Sequence, residues 1–138
     1  MKLRGGLAGI IVLALTAGAA AQSGVLLRQR PAVDLIESYV AFIGPDDLFN
    51  SSGQPLTRPW QVIRQDRANF HAYGRRDPGD QSDSFFSSQA NRAELEGMLA
   101  RGSISPAAAY RVMRGGTFVH VQIFGRGDVG AFVQVDVM

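Results

Sequence analysis

The chain contains no cysteine. That excludes disulfide-stapled scaffolds, thiol catalysis and any zinc site built on thiolates. Without a cysteine near its N-terminal apolar run, it is also no acylated lipoprotein. Histidine is almost as scarce, with His71 and His120 the only two. Lysine occurs once, at Lys2; every other cation is arginine. There is no phosphate-cradling glycine loop, no nucleophile elbow and no basic stretch interleaved with aromatics. No internal repeat or low-complexity segment interrupts the chain.

The longest apolar run is "LAGIIVLALTAGAAA", residues 7–21. It is shorter than the roughly 20 residues needed to span a bilayer. Lys2 and Arg4 precede it and small residues close it, the grammar of a secretory signal peptide cut after Ala21. The expectation is a protein exported to the periplasm or beyond, with no membrane attachment after cleavage. Removing Lys2 and Arg4 leaves 12 arginines against 12 acidic residues. A chain so balanced is not a nucleic-acid binder working by bulk charge. The 117 residues beyond the cut suffice for one core and one domain. Residues 22–33 read as an arm, and residues 34–138 as a single α+β domain.

Within that domain, "IESYVAFI" at 36–43 predicts a strand with Tyr39, Ala41 and Ile43 on one face and Val40 and Phe42 on the other; a helix over 33–42 capped by Asp34 is the alternative. Pro59 opens a helix in which Trp60, Ile63, Arg67 and Phe70 recur at helical spacing, and Gly74 is its predicted stop. Asn91 and Glu94 have the spacing of a capping box at the start of a second helix with Leu95, Met98 and Leu99 as its apolar stripe. Ser105 and Pro106 begin a third, with Ala109, Val112 and Met113 inward and Gly115 at its end. The period then changes from 3.6 to 2. Val119, Val121 and Ile123, then Val133, Val135 and Val137, mark two strands joined through "GRGDVG". The predicted fold is a small antiparallel sheet, a C-terminal hairpin plus one N-terminal strand, packed against three short helices. Tyr39, Phe42, Trp60, Phe70, Phe85 and Phe86 are assigned to the core.

The densest polar stretch is "QDRANFHAYGRRDPGDQSD", residues 65–83. Arg67 falls where the helical stripe calls for an apolar residue. A buried guanidinium must be paired, which predicts an internal tie to Asp46, Asp47 or Asp77. The functional alternative gives its planar fork to an anionic ligand. Asp66, Arg67, Asn69 and His71, with Arg75 and Arg76 at the rim, are then the ligand-binding candidates. His71, one turn from Arg67, is the candidate general base of a hydrolase or lyase acting on an anionic substrate. Asp77, Asp80 and Asp83 sit in a loop rich in turn formers and are calcium candidates, although their spacing fails the EF-hand pattern. The "RGD" at 126–128 is ordinary hairpin chemistry, and "NSS" at 50–52 matches a glycosylation sequon. With no catalytic signature and no cofactor motif, the sequence points to a small exported non-enzymatic domain that binds a ligand or a partner protein. A small enzyme and a calcium-stabilised module are the alternatives.

Overall fold

Alternation of apolar side chains decides where the strands lie. In the computed structural model, which describes residues 32–138, β1 runs Asp34–Ile43, β3 Thr117–Arg126 and β4 Val129–Val137. Every second residue is buried: Tyr39, Ala41 and Ile43, then Val119, Val121 and Ile123, then Val133 and Val135. One-in-two burial puts all of these on a single face of the sheet. The predicted signal peptide, its cleavage site and the arm up to residue 31 lie outside the described residues.

β1 pairs antiparallel with β3, and β3 with β4. The hairpin turns at Gly127–Asp128. Gly127 has φ +56°, in the first central position, where a two-residue hairpin turn of type II′ calls for glycine. A fourth strand was not predicted. Two residues, β2 (Ser103–Ile104), run parallel to β4 opposite Gln134 and Val135, so the sheet is mixed, in the order β1-β3-β4-β2. Strand pairing so short leaves no alternation to read. Its approach depends on Gly102, where a Cβ would lie 1.7 Å from the Val133 carbonyl oxygen.

The helices cover the buried face. α1 spans Pro59–His71, with Pro59 at its first position and the Gln61 side chain accepting from the Thr57 and Arg58 amides. It stops short of Gly74, which lies three residues further on. The second predicted helix is two: α2 (Gln89–Ala93) and α3 (Leu95–Arg101), with the break at Glu94. Asn91 is not its cap. Ser88 accepts from the Asn91 amide, while the Asn91 side chain donates to the Phe85 carbonyl at 2.8 Å. The single turn of 3-10 helix at Phe85–Ser87 draws Asn91 away from the capping role, and Arg92 reaches back to the same turn at Phe86 and Ser87. α4 (Pro106–Arg114) begins at Ser105 and ends at Gly115 as predicted. Its buried residues are Ala108 and Val112, with Met113 packed at the edge.

Val62, Ile63, Phe86, Leu95, Met98 and Val112 close over the sheet's inner face. Of the six aromatics assigned to the core, Tyr39, Phe70, Phe85 and Phe86 are buried. Phe42 and Trp60 are only half-buried; Phe42 lies on the outer face against Phe118. The described residues make one compact α+β unit. Among them no helix is long and apolar enough to cross a membrane.

Candidate functional site

α1 buries more of its surface than a single stripe. Ile63, Arg67 and Phe70 form one buried row, and Val62, Asp66 and Asn69 a second. The second row carries two more polar residues inward, because the helix is enclosed by the sheet, by the 3-10 turn at Pro45–Leu48 and by the loop that follows Gly74.

Arg67 is 0 % exposed. Its Nε donates to Asp66 Oδ2 at 2.7 Å, and its Nη1 donates to Asp83 Oδ1 and to the Gln81 carbonyl, both at 3.0 Å. The guanidinium lies between the rings of Tyr39 and Phe70, 4.2 and 4.6 Å from their centres, where ring faces favour a cation. Among the described residues, its Nη2 and the Tyr39 hydroxyl are buried without a hydrogen-bond partner. The predicted internal tie therefore has other anchors: the carboxyls are Asp66 and Asp83, not Asp46, Asp47 or Asp77. The reason is reach. Asp66 is adjacent on the helix, and the loop returns at Asp83, whereas Asp47 is already engaged by Asn69 Nδ2 and the Gly44 amide, each at 2.8 Å.

Two carboxyls thus share one guanidinium inside the protein. Burial raises the Asp66 pKa from its usual carboxyl range to about 7, against the pull of Arg67. Burial likewise raises Asp47 to about 6, although Asn69 and the Gly44 amide favour its ionised form. For Arg67, burial lowers the pKa, and the Tyr39 oxygen, Asp66 and Asp83 more than offset it, so the side chain remains a cation.

His71 joins the same cluster through Nε2, 2.9 Å from Asp83 Oδ1. Asp83 Oδ2 accepts from the Phe86 amide. Among the described residues the His71 side chain makes this one hydrogen bond. Imidazole and carboxyl are arranged as in the orienting half of an acid–base pair, but the Arg67 beside them has no surface to offer a substrate. His120 is elsewhere, half-buried on the outer face of the sheet opposite Asp136.

The loop from Asp77 to Ser84 is a strap along the outer edge of β1. Gln81 accepts from the Val40 amide through its side chain and donates to the Val40 carbonyl through its backbone. Asp80 accepts from the Phe42 and Asp77 amides, both at 2.8 Å. Glu37 on the strand accepts from the Ser84 and Phe85 amides. A free strand edge invites pairing with another chain, and side chains that occupy its amides block that. Of the three calcium candidates, Asp80 serves the strand edge, Asp83 serves Arg67, and Asp77 packs against Gly44, its pKa raised by burial and by Asp80 and Asp46. Among the described residues no group of three or more His, Asp or Glu side chains is disposed to hold a metal ion.

Beyond the end of α1, Arg75 and Arg76 make no side-chain hydrogen bond or ion pair among the described residues. Arg75 and Arg76 are exposed; Arg76 stacks over Phe70 at 4.2 Å. Arg75 lines an open cleft of about 430 Å³ between the C-terminal half of α1 and the turn at 49–54, with Asp46, Phe49, Asn50, Gln65 and Tyr73. Asn69 forms part of its floor, held by Gln65 Nε2 at 3.0 Å. A second, more charged cleft of about 330 Å³ continues past Arg75 to Arg76 and Asp77. Phe49 and Tyr73 are 44 % and 59 % exposed. Neither was among the predicted site residues. The available signal was that both rings fall outside every assigned apolar stripe, Phe49 in a turn-forming segment and Tyr73 next to the predicted helix stop at Gly74.

No protein-family model, no curated protein and no solved structure matches this chain.

Proposed function

We propose that this is a small exported, non-enzymatic domain that binds a ligand or partner protein through the cleft beside the C-terminal half of α1. The observation that carries the reading is the pairing of two exposed aromatic rings, Phe49 and Tyr73, with polar side chains around one concave surface. Binding sites combine apolar walls with a few placed polar groups, and exposed aromatics with arginine are where binding energy concentrates. Of the ligand-binding candidates, Arg75 and Asn69 line this cleft and Arg76 its continuation. Asp66 and Arg67 support it from beneath by fixing α1. Native mass spectrometry of the protein isolated from its own compartment tests the reading. A bound mass on the wild type that is lost from the Tyr73→Ala/Arg75→Ala variant supports it. A bound mass retained by that variant puts binding elsewhere. The same spectrum gives the mature mass, which for cleavage after Ala21 begins at Gln22.

The second reading, a hydrolase or lyase, draws on the His71–Asp83 pair. Arg67 has no part in it as a substrate contact, since it is wholly buried. A pH–rate profile left unchanged by His71→Ala would remove it. Identical melting curves in calcium and in chelator would do the same for a calcium-stabilised module.

A further inference from the structure

We infer that the ligand of the Phe49–Tyr73 cleft is a neutral oligosaccharide. The inference rests on the proposed binding role of that cleft and names its chemistry. Three features of the cleft converge. First, its charges balance: Asp46 and Arg75 face the same space, and among the described residues neither side chain is in an ion pair. A strongly anionic or cationic ligand would meet one of them with like charge. Second, the free polar ends are of both kinds. The Arg75 guanidinium can only donate and the Asp46 carboxyl accepts; Gln65 Nε2 is engaged by Asn69, which leaves the Gln65 Oε1 acceptor free for a ligand. Hydroxyls, each both donor and acceptor, satisfy such a mixed set. Third, Phe49 and Tyr73 leave much of their aromatic surface in solvent beside the cleft, and the C–H face of a pyranose ring is a flat apolar surface that can stack on such rings.

A peptide is the competing ligand, and the backbone disfavours it. Strand-like peptide capture needs free main-chain amides and carbonyls. Here the turn uses its own: Asn50 N–H donates to the Gln54 carbonyl, Gly53 N–H donates to the Asn50 carbonyl, and the Asn50 side chain accepts from the Ser52 and Gln54 amides. The Arg75 amide is closed onto the Asn69 carbonyl. Few main-chain groups of the turn remain for recognition, and two of the cleft's side chains are already oriented: Asn69 by Asp47 and Gln65, Asn50 by its turn. Fixed planar polar groups beside exposed rings suit sugar hydroxyls better than a main chain.

The experiment is amide-resolved NMR of the mature protein titrated with chitotriose, with maltotriose and with tri-alanine. The expected result is saturable shifts at Asn50, Ser51, Gly53, Tyr73 and Arg75 with at least one of the two sugars, at a Kd of about 1 mM or tighter. Tri-alanine moves none of them. Saturation transfer from the Tyr73 ring to sugar protons accompanies the shifts. Tyr73→Ala, whose unchanged spectrum elsewhere shows that it folds, weakens sugar binding by at least about tenfold. Shifts at these residues with tri-alanine and neither sugar overturn the oligosaccharide while leaving the cleft's binding role standing. Absence of shifts with both sugars also overturns it, and the bound-mass measurement on the isolated protein then judges the binding role separately. Sugar shifts that survive Tyr73→Ala undiminished overturn the stacking geometry and with it the inference.

Discussion

Two polar regions border α1, and they differ in whether their partners belong to the chain. On the sheet side, Asp66, Arg67, His71 and Asp83 form a closed cluster in which the guanidinium is enclosed by carboxyls, a carbonyl and two rings. Beyond its C-terminal end, Arg75, Asp46, Phe49 and Tyr73 face a cleft, and the two rings are about half in solvent. In the sequence, the closed cluster is the more suggestive of the two. Charge, histidine and asparagine crowded into one stretch look like chemistry, whereas Phe49 and Tyr73 are isolated apolar letters. The structure reverses that order. A polar group satisfied inside the chain is bound to the fold, and one left facing a cavity is available to something else.

The sharpest way to break the comparison is Arg67→Ala. Removing one partner of a buried ionic cluster strands the others and costs about 3–5 kcal/mol, to which an emptied volume adds its own penalty. Against a typical stability of about 5–15 kcal/mol, the variant is expected to lose a large share of its stability and unfold at much lower urea. Urea unfolding followed by far-UV circular dichroism measures this. A folded Arg67→Ala protein with a loss below about 1 kcal/mol would mean that the cluster holds nothing together.

The next effect depends on pH. Asp66 has a folded pKa of about 7, above the unfolded value of about 3.9. The folded chain therefore holds this proton more tightly than the unfolded chain. The associated stability is complete below about pH 4 and is lost as pH rises through about 7. From pH 5 to pH 8 the wild type should lose on the order of 3 kcal/mol from this group. Asp47, with a folded pKa of about 6, adds a smaller loss of the same sign over a window that closes earlier. Asp66→Asn should be nearly as stable as the wild type at pH 5 and more stable than it at pH 8. Paired denaturation curves at the two pH values check this. Parallel decline of both proteins would show that Asp66 is not the titrating group.

Below that comes the strap. Asp80→Ala frees the Phe42 and Asp77 amides and should cost about 1–2 kcal/mol. Its specific mark is local: hydrogen exchange at Phe42 accelerates, while the Val119 and Val121 amides inside the sheet keep their protection. Uniform acceleration across the sheet would instead mean that the loop is part of the global core.

What could be read in advance followed the periodic segments. Tyr39, Ala41 and Ile43 on β1, the hairpin valines, and the starts of α1 and α4 at prolines were legible because each is a local rule. Arg67 was legible as an anomaly for the same reason, since one polar residue broke a helical stripe. Its partners were not, because Asp83 lies 16 residues away around a loop, and nothing in the spacing distinguishes it from Asp77 or Asp47. β2 escaped because two residues carry no period. Asn91 was misassigned because its side chain found the Phe85 carbonyl, a contact made by a 3-10 turn that no sequence pattern announced. The cleft was invisible for a more general reason. It is a relation between a turn and the end of a helix, and only the folded chain brings Phe49 and Tyr73 to one surface.

The smallest stability effect is the one that most sharpens the contrast. Tyr73 is 59 % exposed, and truncating an exposed side chain changes stability by no more than about 0.5 kcal/mol. Tyr73→Ala and Arg75→Ala should therefore unfold together with the wild type, in the same urea range that separates Arg67→Ala from it. If both are neutral for folding yet abolish the bound mass seen on the wild type, the two sides of α1 are divided by role as well as by exposure. A loss of more than about 2 kcal/mol in either variant would show instead that the cleft residues belong to the fold, like those of the buried cluster, and that the helix has no free side.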